Sequence, residues 1–220
     1  MVALLAVGVT PAHAAQQGSY FQIAVLVDGG YPMAGQSWTF DSTLMGKDDK
    51  PIPGRHVTLL TRTAGSGDPF RVAATVLTDD SGYAVAKIKV VRNTAYRWHF
   101  AGDASYAASA SNTVTQSVGA KVVPHVSDST PTLFQSFAVT GRAYPDKSGD
   151  RISLYAGRYN LGFAPPAYSR RLAFGRVRAD GTFRLVGRLT RTGPQTLFVV
   201  VERDAENQDG YSKYLRVTVH

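Results

Sequence analysis

The side chains in this sequence best suited to binding chemistry are arginines in the stretch RRLAFGRVRADGTFRLVGRLTR, residues 170–191. Apolar and polar residues alternate through it, which is typical of half-buried strands. The alternation predicts a core-facing set: Val177, Phe183, Leu185 and Leu189. It predicts an outward set of cations: Arg176, Arg178, Arg184 and Arg188. Because guanidinium groups pair well with phosphate and carboxylate, the outward set is a candidate anion-binding surface.

The turn between these strands predicts how the arginines meet. A three-residue hairpin loop with Gly181 in the left-handed conformation would pair Val177 with Phe183. Arg176 would then lie opposite Arg184, and like charges directly opposite each other are unfavourable. An anionic polymer would relieve the repulsion, and so would nearby acids. The alternative interpretation is a solvated basic sheet face. Nucleic acid is not an expected partner, because no aromatic residues alternate with the arginines as single-strand binding requires.

A second candidate binding element is the aromatic segment YAGRYNLGFAPPAYSRR, residues 155–171. It exceeds its counterpart in the first half of the chain by five residues and contains two prolines. Tyr159, Phe163 and Tyr168 would serve for stacking on sugar rings, which makes a carbohydrate-recognising accessory module the alternative function. Equally, the segment would fold over its own sheet as a lid.

An acidic loop, RDAENQDG at 203–210, is a weak calcium candidate through Asp204, Glu206 and Asp209. The spacing fails the EF-hand rule, so the expectation is a solvated loop and no metal. Catalysis is not expected either. The chain has no cysteine, only two glutamates, scattered histidines and no G-x-S-x-G or phosphate-binding loop, so we predict a non-enzymatic protein without cofactor.

Net charge separates the two halves of the chain. Residues 119–220 carry fifteen Lys and Arg against eight acids, whereas residues 15–118 carry nine against eight. The second half is therefore the electrostatically active one, and it would attract an anionic partner.

Period-two alternation runs through the whole chain and predicts an all-β fold. Similar strings recur about 100 residues apart, such as PGRHVTLLTR at 53–62 and SGDRISLYAGR at 148–158. Each half offers about seven strands, which is typical of two stacked antiparallel sheets. We therefore predict two tandem sandwich domains, at 20–118 and 120–220, with the second one basic.

The first residues, MVALLAVGVTPAHAAQ, resemble a secretory signal peptide. The apolar run is too short to span a bilayer, and Ala12-His13-Ala14 fits a cleavage site, so residues 1–14 are predicted to be removed on export. We expect a secreted or envelope protein that does not span a membrane. The alternative is that this run is a buried strand of the fold.

Residues 78–118 carry a resemblance to a known family. A Thr-Asp-x-x-Gly-Tyr hairpin is followed by the strand Tyr-Arg-Trp-His-Phe, a Gly-Asp-x-x-Tyr corner and Ser-x-Ser before the last strand. This order resembles the closing half of a bacterial immunoglobulin-like (Ig-like) domain. The second half keeps ADGTF and DGYSKYLRVTV but replaces the Gly-Asp corner with ERDAENQDGY.

The resemblance implies an extracellular β-sandwich used in adhesion, surface display or binding, and it implies no activity. Its partners would be an anionic envelope polymer, a glycan or a surface protein. In this fold Tyr96, Trp98 and Phe100 fill the core, and the alternative is an exposed sugar-stacking platform.

Overall fold

The computed structural model describes residues 16–22, 30–158 and 169–220, and within these ranges it contains strands and no α-helix. The first half contributes eight strands: β1 (Ser19–Gln22), β2 (Ser37–Gly46), β3 (His56–Thr63), β4 (Arg71–Leu77), β5 (Tyr83–Lys89), β6 (Thr94–Phe100), β7 (Ser109–Ala110) and β8 (Val114–Gln116). They form two antiparallel sheets. One has the order β1-β2-β5, and the other has the order β4-β3-β6-β7 with β8 also paired to β6.

The second half contributes eight more: β9 (Lys121–Val126), β10 (Ser136–Tyr144), β11 (Arg151–Ala156), β12 (Arg170–Arg176), β13 (Thr182–Arg188), β14 (Gly193–Val201), β15 (Gly210–Tyr211) and β16 (Leu215–Val219). Their sheets have the orders β9-β10-β13 and β12-β11-β14-β15, with β16 also paired to β14. The two halves thus share one strand order. The all-β fold of antiparallel Ig-like sandwiches is confirmed.

Each pair of sheets encloses its own apolar core. The core of the first half is formed by residues between Ala34 and Val118, and that of the second by residues between Ala120 and Val219. Trp98 is fully buried, with Tyr96 and Phe100 packed beside it. The prediction that these aromatics fill the core is confirmed, and the alternative of an open sugar-stacking platform is wrong.

The turn before β13 has the predicted conformation but a different role. Gly181 has φ of 79°, its amide donates to the Arg178 carbonyl, and Val177 and Phe183 are buried. However, β12 and β13 do not pair with each other, because β12 belongs to the sheet of β11 and β13 to the sheet of β10. The tight turn carries the chain across the core from one sheet to the other.

The predicted opposition of Arg176 and Arg184 is therefore wrong. Arg176 lies opposite Arg151, and Arg184 lies opposite Thr140 on the other sheet. The physical reason is that both strands turn an apolar face to the same core, so they pack face to face instead of edge to edge.

The two halves meet at a polar junction around Asn207, which is completely buried. Its side-chain amide donates to the carbonyls of Val91 (2.9 Å) and Val118 (3.1 Å). Asn93 adds a further contact between the halves, because its backbone amide donates to the Glu206 carbonyl, and within the first half its side-chain oxygen accepts the Val118 amide. These bonds fix the orientation of one half on the other.

Close packing at the junction also requires a residue without a side chain. A Cβ on Gly119 would stand 2.5 Å from the ring of Tyr31 and 2.8 Å from the sulfur of Met33. The boundaries at 20–118 and 120–220 stay a prediction, because separate cores do not show that each half folds alone. The predicted signal segment, residues 1–14, lies outside the described residues.

Candidate anion-binding surface

The outer face of the three-stranded sheet in the second half is basic. Alternation along β13 turns Arg184 and Arg188 outward, since Phe183, Leu185 and Leu189 point into the core. On the neighbouring strands the outward cations are Arg142 of β10 and Lys121 of β9. We call Lys121, Arg142, Arg184 and Arg188 the basic face.

Only two of the four predicted arginines lie on this face. Arg176 is on β12, in the opposite sheet, where its guanidinium donates to the Gly149 carbonyl. Arg178 lies in the turn, and its side chain approaches the Thr182 hydroxyl at 3.4 Å. Two of the predicted arginines thus lie on the basic face, one lies on the opposite sheet and one lies in the turn. This corrects the sequence interpretation of a single arginine surface.

Sequence reasoning missed Lys121 and Arg142. Both alternate with buried neighbours, Val122 and Ala143 respectively, so the period-two pattern that identified the arginines of β13 would have placed them outward as well. The pattern cannot predict which strands are neighbours in a sheet. That information comes from the observed sheet order β9-β10-β13.

Beside the basic face, two cavities open at the junction of the halves. The first, of about 490 Å³, is lined by Ala34, Gly35, Lys89, Val91, Lys121, Val123, Gly141, Arg142, Tyr144 and Pro145. The second, of about 500 Å³, is lined by Met33, Ala34, Gly35, Gln36, Lys121, Val122, Val123, Pro124, Tyr211, Lys213 and Leu215. Because four lining residues are common to both, the cavities adjoin along β9, and we call them together the junction trough.

The junction trough is lined by cations without acids. Its charged side chains are Lys89 from the first half and Lys121, Arg142 and Lys213 from the second. Among the described residues, none of the four lies within salt-bridge distance of a carboxylate. A concave surface lined by charges of one sign concentrates the opposite charge, so this trough would attract an anion.

The trough also exposes an aromatic ring and apolar side chains. Tyr144 is 42% exposed, and the Arg142 guanidinium carbon lies 5.9 Å from the centre of its ring. Val91 and Val123 are likewise exposed on the lining. A site that combines an exposed ring with cations can bind a ligand that has both an apolar face and an acidic group.

The acidic loop makes structural contacts instead of a cation site. One Asp204 oxygen accepts the amides of Glu206 and Asn207. Glu206 pairs with Arg92 at 2.6 Å, and Asp209 accepts the Arg203 amide. The three carboxylates of the calcium hypothesis thus have separate partners. In the described ranges, no group of three or more His, Cys, Asp or Glu side chains is placed to hold a metal ion.

The second Asp204 oxygen accepts from a buried cation. Lys147 has a fully buried side chain whose Nζ lies 2.5 Å from Asp204 and 3.8 Å from Asp150. Burial tends to raise the pKa of Asp204, but the Lys147 ammonium and two backbone amides outweigh it and lower that pKa. Burial and the charge of Asp204 raise the pKa of Asp150, because Lys147 is engaged mainly by Asp204.

The aromatic-loop residues Tyr159, Phe163 and Tyr168 lie outside the described residues, so the carbohydrate role of that loop stays a prediction. Tyr155, at the start of the same segment, is on β11. Its ring stacks on that of Phe198 at 5.3 Å, and Tyr214 meets Phe198 edge-on at 6.2 Å. The core residues of β14 are Leu197, Val199 and Val201, so Phe198 lies on the opposite face of this strand. Two tyrosines thus pack against that face.

No protein-family model and no curated protein matches the sequence. Among solved structures, a chitin-binding domain from Burkholderia pseudomallei is 15% identical over 42% of this chain and 57% of that one, with a TM-score of 0.31. The D0-D1 domain of intimin is 13% identical over 91% and 97%, with a TM-score of 0.31. A C-terminal 282-residue fragment of intimin, in complex with the intimin-binding domain of its translocated receptor, is 15% identical over 84% and 58%, with a TM-score of 0.40.

These likenesses concern the fold alone. The Ig-like sandwich itself is defined by the strand order of this chain. Within the described residues, no helix has the length and apolar character needed to cross a membrane.

Proposed function

We propose that this protein is a non-enzymatic binding module that is exported and holds an anionic polymer at the cell surface or in the envelope. The observation that carries the proposal is the basic face of the second half. Lys121, Arg142, Arg184 and Arg188 project from one sheet, and among the described residues none of them lies within salt-bridge distance of a carboxylate. Arg142 donates to the Asp180 carbonyl, and its charge helps to lower the pKa of the Asp180 carboxyl group. A polymer with regularly spaced negative charges is complementary to such a face.

The ionisable groups of the described residues support a binding role over a catalytic one. The acids with a lowered pKa, such as Asp79 and Asp180, accept hydrogen bonds from the turns that contain them. The tyrosine with the largest rise in pKa, Tyr31 (to about 12), is half-buried at the junction. Each shift thus follows from a structural contact.

The proposal is tested by the affinity of the protein for a soluble polyanion at increasing ionic strength. Affinity is expected to fall as salt rises, because screening weakens interactions between exposed charges. The triple variant Arg142→Gln, Arg184→Gln, Arg188→Gln is expected to bind about tenfold more weakly, since three exposed contacts contribute roughly 0.5 kcal/mol each.

A matched control removes three arginines from the other sheet of the same half, through Arg151→Gln, Arg176→Gln and Arg216→Gln. Its net charge equals that of the triple variant, so a specific face predicts that it keeps most of the affinity. Equal loss in both variants, or binding that ignores salt, would refute the basic face as the contact surface.

A further inference from the structure

We propose that the junction trough is a binding site for the acidic sugar units of a linear anionic polysaccharide, and that both halves of the chain build it. The inference rests on the proposed function, which it narrows from any polyanion to an acidic pyranose chain. It also moves the point of recognition from the open sheet to the concave surface between the halves.

The junction trough carries four cations. Lys89, Lys121 and Arg142 line one cavity, and Lys213 adds a fourth cation in the adjoining one. Three of the four are lysines, which act as compact point charges. Arg142 donates from Nη2 to the Asp180 carbonyl, and its remaining N–H groups can meet a carboxylate, sulfate or phosphate group. Two acids lie nearby without lining either cavity: Asp209 accepts the Arg203 amide, and Asp180, whose carbonyl accepts from Arg142, also accepts hydrogen bonds from Thr182.

Apolar surface lies between those charges. Tyr144, Val91 and Val123 are all exposed on the lining, and Pro145 lies next to the tyrosine. A bare inorganic anion gains nothing from such side chains. A pyranose ring gains from them, because its C–H face packs on an aromatic ring while its acidic group and hydroxyls meet the cations.

The junction trough has the size and shape of an elongated binding site. Cavities of about 490 and 500 Å³ fall within the range usual for small-ligand sites. They share Ala34, Gly35, Lys121 and Val123, so they form one continuous path along β9 instead of two isolated pockets. A continuous path suits consecutive units of a linear chain better than a single compact ligand.

The junction trough is held in place by hydrogen bonds between the two halves. Lys89 and Val91 come from the first half, so the trough has its full lining only where the halves are held together. The buried Asn207 bonds and the bond from the Asn93 backbone amide fix that arrangement before any ligand arrives. A site formed in advance loses less conformational entropy on binding.

The experiment compares three soluble polymers against the whole chain by calorimetry. Polygalacturonate has acidic rings, polyphosphate has charge without rings, and dextran has rings without charge. We expect binding of polygalacturonate and none of dextran. Lys89→Gln is expected to weaken polygalacturonate binding by about fivefold, which corresponds to one lost charge contact of about 1 kcal/mol.

The matched control is Lys87→Gln, which removes the same charge two residues earlier on β5, outside the trough lining. It is expected to change the affinity by less than about twofold. Tyr144→Ala should weaken polygalacturonate binding by about fivefold and leave polyphosphate binding unchanged, since stacking requires a ring. Lys87, Lys89 and Tyr144 are exposed, so all three variants are expected to fold.

The outcomes separate the two claims. Equal affinities of Lys89→Gln and Lys87→Gln, or equal effects of Tyr144→Ala on both polyanions, would overturn the trough while the basic face stands. Binding of polyphosphate alone would overturn the sugar specificity. If no polyanion binds, both the proposed function and the trough are refuted.

Discussion

Lys147 is the most unusual residue of the chain at the scale of single side chains. Its ammonium group is fully buried, and two carboxylates, those of Asp204 and Asp150, face it. A lysine without a partner in such a place would be strongly destabilising, whereas the two acids remain partly in contact with water. Burial in this cluster is therefore asymmetric, because the lysine is enclosed and the two acids are partly exposed.

This asymmetry predicts the outcome of removing each partner. Asp204→Ala leaves a buried ammonium with only the more distant Asp150, and is expected to lower the free energy of unfolding by about 3 kcal/mol. Lys147→Met replaces the cation with an apolar side chain of similar length and leaves two carboxylates that are each partly exposed, although the Asp150 Oδ2 atom is buried, so the loss should be smaller, at about 2 kcal/mol. Urea unfolding measures both, and an equal or reversed order would contradict the description of the pair.

Asp150 predicts a dependence of stability on pH. Its pKa is raised in the folded protein above the ordinary value of 3.8, so the folded state holds a proton that the unfolded state has lost. The resulting stabilisation is present below pH 3.8 and is lost as pH rises through the raised pKa. The neutral variant Asp150→Asn should therefore gain stability relative to the wild type as pH rises above 3.8 and through the raised pKa.

Asp204 gives the opposite sign in the same titration. Its lowered pKa stabilises the folded state above the ordinary value, and that contribution is lost as pH falls below it. Chemical unfolding at several pH values distinguishes the two groups. A constant difference between Asp150→Asn and the wild type would show that Asp150 has an ordinary pKa.

At the scale of elements, the two halves use the same corner before their last strands. One oxygen of Asp103 accepts the amides two and three residues further on, and so does one oxygen of Asp204. The other oxygen meets a cation from the preceding loops, Arg55 in the first half and Lys147 in the second. The second half thus keeps the corner that sequence comparison described as replaced.

The error has a physical cause. The sequence alignment followed the glycine of Gly-Asp and the tyrosine of the corner, whereas the structure requires only the aspartate and two free amides after it. Arg203 stands where the first half has Gly102, and Asn207 stands where it has Tyr106. Tyr106 packs against the core of the first half, whereas Asn207, at the matching position of the second half, forms hydrogen bonds across the junction.

The junction predicts unequal contributions from its polar contacts. Asn207→Ala removes two hydrogen bonds of a fully buried side chain, at about 1 kcal/mol each, so it should cost about 2 kcal/mol even though the Val118 carbonyl keeps the Gln208 amide as a donor. Arg92→Gln breaks the ion pair with Glu206, in which both side chains are substantially exposed, and should cost less than about 1 kcal/mol.

Urea unfolding of the two single variants checks this order. A larger loss for Arg92→Gln would mean that the ion pair, and not the buried amide, holds the halves together. Small-angle scattering of Asn207→Ala adds a direct readout, because a loosened junction gives a larger radius of gyration than the wild type.

At the scale of the whole molecule, the sequence predicts the class of fold well, because alternation is a local property. The strands around Trp98 and Phe183 were identified in this way, with the correct faces in the core. Sheet partners were harder to predict. The turn at Gly181 suits both a hairpin and a crossing between sheets, and only the packing of the whole core decides which one forms.

The candidate site was predictable only in part. Arg184 and Arg188 follow from alternation, but Lys89, Lys121 and Arg142 come from strands that are distant in sequence. These three residues lie close together only because of the orientation of the two halves, and no local sequence pattern predicts that orientation. The prediction of two tandem sandwich domains was made from similar strings about 100 residues apart. The strand order and the aspartate corner that the two halves share support that prediction.

The central claim, that an anionic polymer binds along the junction of the two halves, is tested most directly by NMR titration of the whole chain with an oligogalacturonate. Backbone amide shifts are predicted to concentrate at Lys89, Val91, Lys121, Val123 and Arg142, from both halves together. Shifts confined to the opposite sheet around Arg151 and Arg176, or no shifts at saturating ligand, would contradict it.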